Sequence, residues 1–132
     1  MIGLDTNILV RFFVKDDPEQ AHEATSLIYT LTPEEPGWVG VAVLVELIWA
    51  VTRVYRMDRA AVIQILEKLA ASRDIVLERS EIVGRALHHY RLGKAEFPDY
   101  LIASSARAAG CLRTWTFDRK AARDAGMELL GS

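Results

Sequence analysis

Met1-Ile-Gly-Leu-Asp5-Thr-Asn-Ile-Leu-Val-Arg-Phe-Phe-Val14 opens the chain and predicts a strand that turns directly into a helix. Ile2 to Leu4 is a short apolar run typical of a buried parallel strand, and the apolar residues after Asn7 recur at helical spacings. Asp5 stands at the carboxyl end of this strand, which is where ligands bind in open α/β sheets. The alternative is that Asp5 only caps the helix, since Asp is a preferred N-cap residue.

Length and composition predict one globular domain, residues 1–132, with 51% apolar and 26% charged residues. No apolar run approaches the ~20 residues of a membrane span, and the start lacks the pattern of a signal peptide. The single cysteine, Cys111, cannot form an internal disulfide, so a reducing cytoplasm fits best. The formal net charge of −2 argues against a protein that binds nucleic acid by bulk electrostatics.

Short apolar runs alternate with amphipathic helical patterns along the rest of the chain. Asp17-Pro18 and Asp58 mark helix starts, and Gly110 marks the end of the helix that opens at Phe97. Because strands and helices alternate, we predict an α/β fold, a three-layer α/β/α sandwich around a central, mostly parallel five-stranded sheet. The predicted strands are Ile2 to Leu4, Trp38 to Val41, Ile75 to Leu77, Cys111 to Thr116 and Met127 to Leu130.

Four carboxylates from separate segments are predicted to meet at one rim of this sheet. Asp5 and Asp118 both follow strands, Asp99 lies in the first turn of a helix, and Glu46 is expected to project from the loop after the second strand. Clustered carboxylates repel one another unless a cation or shared protons compensate. Oxygen ligands without Cys or His favour Mg²⁺ or Mn²⁺, which suit the hydrolysis of phosphodiester bonds.

Each acidic residue also has a structural explanation, and other carboxylate chemistries fit the sequence less well. The helix dipole alone accounts for Asp99, and Glu46 can lie on a solvent edge even though its neighbours are apolar. A haloacid-dehalogenase-type phosphatase requires a second Asp where this chain has Asn7. A glycosidase gives no reason for four acids, and a receiver domain carries an acidic dipeptide that is not clear here. His88 and His89 are adjacent, so we interpret them as solvated surface residues.

The chain resembles the PIN-domain nucleases in four short motifs that occur in the family's order and spacing. A further stretch, Glu46-Leu-Ile-Trp49-Ala-Val-Thr-Arg53-Val-Tyr55, is similar to the VapC type of toxin–antitoxin ribonucleases. The four motifs are Asp5-Thr-Asn7, Glu46, Phe97-Pro-Asp99-Tyr-Leu-Ile-Ala103 and Thr116-Phe-Asp118-Arg. The resemblance implies a Mg²⁺- or Mn²⁺-dependent endoribonuclease that acts on RNA, is restrained by a small VapB-type antitoxin and is usually a homodimer.

Carried over residue by residue, the resemblance implies a quartet of metal-binding and catalytic acids. Asp5 and Asp99 would be the principal metal ligands. Glu46 and Asp118 would complete the coordination, bind a second ion or orient the attacking water. The residues Asn7 and Thr116 match positions that hold the aspartates by hydrogen bonding.

Departures from the family pattern, and the residues around the quartet, leave several alternatives open. Pro98 and Tyr100 stand where the family often has Ala. We expect Tyr100 to be a core or rim aromatic, and the alternative is that it narrows the site or stacks on a base. Glu96 is a candidate auxiliary acid. Family members contact an antitoxin or each other through the segment that here contains Trp49, Val54, Tyr55 and Met57. The alternative is that these four residues belong to the core. The alternative functions are a non-catalytic binding module and a structure-specific DNA nuclease. Cations for an RNA backbone are expected near the rim, at Arg11, Lys15, Lys94, Arg119, Lys120 and Arg123.

Overall fold

Helices and short parallel strands alternate in the structure, a computed structural model that describes residues 1–131. The chain divides into two compact units, Met1–Glu78 and a second unit from Arg79 onward. No helix in the described part has the length and apolarity that crossing a membrane requires. The elements in order are β1 (Ile2–Gly3), α1 (Thr6–Val14), α2 (Pro18–Tyr29), β2 (Gly37–Val39), α3 (Val41–Arg53), α4 (Arg59–Ala71), β3 (Ile75–Leu77), α5 (Ser80–Leu92), α6 (Phe97–Ala108), β4 (Trp115–Thr116), α7 (Arg119–Asp124) and β5 (Glu128–Leu129).

The first unit contains a three-stranded parallel sheet in the order β1-β2-β3, with Gly37 paired to Ile2 on one side and to Ile75 on the other. A Cβ at Gly37 would lie 2.8 Å from the Cδ1 atom of Leu4 and 3.0 Å from that of Leu31, so any larger residue would force these leucine side chains to move. Helix α1 contacts α2 and α3, and α4 contacts β3. The fully buried side chains of this unit are Leu9, Val39, Leu44, Leu47, Val51, Val62 and Leu66.

The second unit is built on the contact between α5 and α6 and on a two-stranded parallel sheet, β4-β5, that contacts α7. The ring centroid of Tyr90 lies 5.7 Å from that of Phe97 and 6.2 Å from that of Tyr100, both in edge-to-face geometry. Tyr100 is buried, and its hydroxyl oxygen accepts a hydrogen bond from the Ala95 N–H at 3.2 Å. Tyr100 is therefore a core aromatic, one of the two positions expected for it.

The α/β class is confirmed, but the backbone hydrogen bonds form sheets of three and two strands in place of the predicted sheet of five. The predicted strand Cys111 to Thr116 is paired only at Trp115–Thr116. Gly110 has a φ of +92°, and the side chain of Leu112 is 97% exposed. An apolar run predicts a strand only where a partner strand is available for pairing. The three-layer arrangement and the single domain stay predictions.

The second strand ends two residues earlier than predicted, because Val41 begins α3 instead of ending β2. The N-cap of α3 is Gly40, which has no side chain to accept a hydrogen bond from the first turn. Glu78, the residue after β3, supplies the acceptor: its Oε1 atom receives the Val41 N–H at 2.8 Å. A carboxylate at this end also interacts favourably with the helix dipole. The orientation of α3 in the first unit therefore depends on Glu78.

We expect Glu78→Ala to lower the free energy of unfolding by about 1 kcal/mol, as loss of an N-cap acceptor usually does, and to lower the Tm by a few degrees. Thermal unfolding followed by circular dichroism measures this. The control is Glu34→Ala, which removes an exposed carboxylate that makes no hydrogen bond or ion pair within residues 1–131. Equal melting temperatures for the two variants would contradict the assigned capping role.

Candidate functional site

In the first unit, Thr6 contacts two of the predicted site carboxylates. Asp5 is the N-cap of α1, and its Oδ1 atom accepts the Thr6 N–H at 2.7 Å. The hydroxyl of Thr6 donates to Oε1 of Glu46 at 3.0 Å, across 40 positions of sequence. Asp5 is exposed, so its capping bond leaves the carboxylate open to solvent. One threonine thus holds the Asp5 and Glu46 carboxylates next to each other.

Glu46 lies in the middle of α3, and the expectation that it projects from a loop was wrong. The buried residues of α3 are Leu44, Leu47, Ile48 and Val51, which form one stripe at helical spacing. Glu46 is on the exposed side of the helix. The apolar residues next to Glu46 in sequence therefore pack in the core, while Glu46 itself stays exposed. Because its carboxylate is not buried, it can be ionised without a desolvation cost.

In the second unit, Asp118 repeats the arrangement of Asp5. It follows β4, caps α7, and accepts hydrogen bonds at Oδ1 from the backbone N–H groups of Lys120 (2.8 Å) and Ala121 (3.2 Å). The hydroxyl oxygen of Thr116 accepts the backbone N–H of Asp118 at 3.0 Å. Thr116 thus fixes the Asp118 backbone, and the capping bonds fix the side chain. Asn7, the corresponding residue near Asp5, is exposed, and its side chain makes no hydrogen bond within residues 1–131.

Asp99 lies at the third position of α6, where its Oδ2 atom accepts the Glu96 N–H at 3.2 Å. Burial is the largest cause that raises the pKa of the Asp99 carboxyl, and the negative charges of Asp118 and Glu96 raise it further. The Glu96 N–H and the positive charge of Lys120 act in the opposite direction. Asp99 and Asp118 are therefore close enough to repel one another, while Glu96 serves as the N-cap of the helix.

The four carboxylates share one pattern of hydrogen bonding. In each, one oxygen is held by the protein, and the other accepts no hydrogen bond from residues 1–131. None of the four forms an ion pair in that part of the chain. Oriented carboxylate oxygens without a partner suit a hard divalent cation, and such a cation would relieve the repulsion of Asp99 and Asp118. Each unit supplies a pair of carboxylates, and within residues 1–131 no three Asp, Glu, His or Cys side chains form a metal-binding group.

The cations named from the sequence have different surroundings. Arg11 donates to Gln20 Oε1 (2.7 Å) and forms an ion pair with Asp16 (3.1 Å), so it ties α1 to the start of α2. Lys15 donates to the hydroxyl of Thr25 at 3.1 Å. Arg119 and Lys120 are exposed in the first turn of α7, next to Asp118. That Arg11, Lys15, Arg119 and Lys120 bind substrate stays a prediction.

A comparison with protein-family models identifies the fold and the family. The model of the PIN domain matches residues 2–126, which include all four carboxylates. The chain belongs to the PIN-domain family. PIN domains have an α/β fold, are typically nucleases and so hydrolases, and generally use divalent metals. No curated protein is significantly similar to the chain.

Sequence reasoning missed Thr6 as the residue that orients Glu46. The contact between them is tertiary, and a single sequence carries no signal for a hydrogen bond across 40 positions. Within the tripeptide Asp5-Thr6-Asn7, roles were predicted for the acid and the amide, because these are the usual metal-site side chains. A hydroxyl that donates to a ligating carboxylate is nevertheless common around metal sites.

We expect Asp99→Asn to raise the Tm at pH 7 in EDTA, with a smaller gain as the pH falls towards 4. Folding raises the pKa of this carboxyl, so the folded chain binds the proton more tightly than the unfolded chain. The stabilisation from protonation is complete below the unfolded pKa of about 3.9 and is lost as pH rises through the folded pKa. The asparagine carries no charge and still offers an oxygen to the Glu96 N–H.

Thermal unfolding of both proteins between pH 4 and pH 8 measures the effect. Asp74→Asn controls for the loss of one negative charge elsewhere on the surface. A Tm gain for Asp99→Asn that is equal at pH 4 and pH 7, or a lower Tm at pH 7, would show that burial and repulsion do not act on Asp99 as described.

Proposed function

We propose that this PIN-domain protein is a Mg²⁺- or Mn²⁺-dependent endoribonuclease whose metal-binding and catalytic carboxylates are Asp5, Glu46, Asp99 and Asp118. The observation that supports it most directly is the closeness of Asp118 to Asp99, which together with burial raises the pKa of the Asp99 carboxyl, in a chain whose PIN-domain match includes all four acids. Each acid is oriented through one oxygen, and the other has no partner within residues 1–131. Asp17 and Asp58, which cap helices outside the quartet, are held in the same way, so this pattern permits a metal ligand but does not by itself identify one.

The four acids have different roles in such a site. In the proposal Asp5 and Asp99 are the principal ligands, and Glu46 and Asp118 complete the coordination or orient the attacking water. The bonds from Thr6 and from the first turns of the helices fix these oxygens before a metal binds, which reduces the entropy lost on binding. When bound, the metal supplies water activation and neutralises the charge of the leaving oxygen.

The proposed substrate is RNA, and exposed cations of the second unit support a polyanionic ligand. Arg119 and Lys120 follow Asp118 directly, and Lys120 is close enough to act on the pKa of Asp99. Cations beside acidic ligands offset the repulsion between the phosphate backbone and the carboxylates. The choice of RNA over DNA is drawn from the similarity of the Glu46–Tyr55 segment to the VapC-type ribonucleases.

We also propose that the protein works in the cytoplasm as the toxin of a toxin–antitoxin pair, as a homodimer restrained by a VapB-type antitoxin. The support from the structure is the exposure of apolar residues at the C-terminal end of α3. Trp49 is 59% exposed and Val54 is 57% exposed, so neither belongs to the core. Exposed tryptophans are enriched in protein–protein interfaces, where they supply much of the binding energy.

We expect Asp5→Asn and Glu46→Gln to lower cleavage of a mixed cellular RNA pool by at least about 100-fold in Mg²⁺ or Mn²⁺, because each removes a ligand charge. The purified wild-type protein should give discrete fragments with either metal and none in EDTA. Glu34→Gln is the matched control, since it removes a carboxylate from an exposed loop of the same unit and should cleave normally.

Equal cleavage by all the variants would indicate a contaminating ribonuclease or a wrong assignment of the carboxylates. Cleavage of DNA but not RNA would favour the structure-specific DNA nuclease. No cleavage by the wild-type protein, with Mg²⁺ binding measured by calorimetry, would favour the non-catalytic binding module. These outcomes separate the metal site from the reaction carried out at it.

We expect Thr6→Val to weaken metal binding or activity by roughly 10–100-fold, the usual effect of losing a hydrogen bond to a metal ligand. Valine keeps the shape of threonine but donates no hydrogen bond to Glu46. Thr6→Ser keeps the hydroxyl and should retain most of the activity. Mg²⁺ titration by calorimetry and the Mg²⁺ dependence of cleavage measure both. Equal losses for Val and Ser would mean that the side chain packs without orienting Glu46.

A further inference from the structure

The second unit contains a cavity of about 170 Å³, and none of the four carboxylates lines it. It lies among α5, α6 and the residues that end α7. Its polar lining comes from His89, Ser104, Arg107 and Asp124, with Tyr100 and Gly126 beside them. A cavity of this size has room for about six water molecules at ~30 Å³ each, or for a small oxyanion.

Ser104 is one of the residues that line this cavity. Ser104 is only 3% exposed, and it is the one polar or charged residue that is buried within residues 1–131. Its side chain makes no hydrogen bond in that part of the chain. No fully buried side-chain oxygen in that part of the chain lacks a partner. The Ser104 hydroxyl oxygen, which has no partner, therefore keeps some solvent-accessible surface. It can donate a hydrogen bond to a small molecule or ion bound in the cavity that Ser104 lines.

Arg107 supplies an uncompensated positive charge at the same cavity. Its side chain forms no ion pair or hydrogen bond within residues 1–131. Its Nη2 atom lies 3.7 Å from the position that a Cβ would take on Gly126, whose φ is +75°. The guanidinium therefore lies beside Gly126, another residue that lines the cavity.

The carboxylate of Asp124 does not cancel that charge. Arg123 donates to both of its oxygens, from Nε to Oδ1 at 3.2 Å and from Nη2 to Oδ2 at 3.3 Å. This bidentate pair is neutral as a whole, so the guanidinium of Arg107 sets the sign of the local potential. Arg107 is exposed at the edge of the cavity, and its unpaired guanidinium together with the free hydroxyl of Ser104 attracts small anions.

We propose that this cavity binds a phosphate-sized oxyanion, either inorganic phosphate or the terminal phosphate of a phosphate monoester. The guanidinium of Arg107 donates to it in bidentate fashion, the hydroxyl of Ser104 donates a further hydrogen bond, and His89 borders the site. The site belongs to the second unit and does not use the proposed metal ligands. It does not depend on the nuclease proposal.

Titration of the ¹⁵N-labelled protein with inorganic phosphate and with AMP, followed by NMR at constant ionic strength in EDTA, tests this. We expect saturable shifts confined to residues around the cavity, and EDTA prevents binding through a metal ion. Ser104→Ala and Arg107→Gln should each weaken binding at least tenfold. Arg85→Gln, on the exposed face of α5, is the matched control and should bind as the wild type does. Ser104→Ala removes an unpaired hydroxyl, so it should fold normally.

Saturable binding of phosphate alone would identify a site for the free ion, and equal binding of AMP would identify a site for a phosphate ester. Both results support the oxyanion site. Linear shifts spread over the surface, or saturable shifts that survive Ser104→Ala and Arg107→Gln, would overturn it. Absence of any shift with either compound would mean that the cavity holds water only, and would also overturn the proposal.

Discussion

The hydrogen bond from the Thr6 N–H to Asp5 Oδ1 begins the first helix and sets the geometry of the first carboxylate pair. A helix start needs acceptors for its free N–H groups, and an aspartate that supplies one uses a single oxygen. The second oxygen remains for a ligand. Because the hydroxyl of Thr6 also donates to Glu46, the same turn fixes a carboxylate from α3. Capping, often regarded as an alternative to function, here provides the orientation that a metal ligand needs.

The second unit uses the same principle at greater electrostatic cost. Asp118 caps α7 through Oδ1, and Asp99 accepts the Glu96 N–H at the start of α6. Burial and the neighbouring charges of Asp118 and Glu96 raise the pKa of Asp99, so at neutral pH the ionised pair opposes folding. Functional sites commonly retain such unfavourable charge because the ligand, when bound, compensates it. The raised pKa of Asp99 therefore supports the binding of a cation. This argument uses only contacts within the second unit.

The sequence predicted most of the helix starts, because caps and apolar periodicity are local signals. Asp17 and Asp58 cap the helices they were expected to cap, and Asp5 caps α1, as the alternative interpretation of that residue required. What failed depends on partners distant in sequence. The segment from Cys111 to Thr116, which contains one arginine and two threonines, pairs as a strand at only two residues. Glu46 lies on a helix whose buried stripe excludes it. The contacts of Thr6 with Glu46 and of Glu78 with Val41 are tertiary, so no pattern in one sequence indicates them.

The four acids differ in which groups of the protein donate hydrogen bonds to them. This difference determines which single contact is most sensitive to substitution. Asp5, Asp99 and Asp118 lie at helix N-termini, where backbone N–H groups and the helix dipole favour an anion. Glu46 lies mid-helix, where its own backbone offers no free donor. Its held oxygen depends on the hydroxyl of Thr6. Since three of the carboxylates are oriented by backbone and one by a side chain, Thr6 is the position at which a single substitution would disturb the geometry of the proposed ligands without removing one of them.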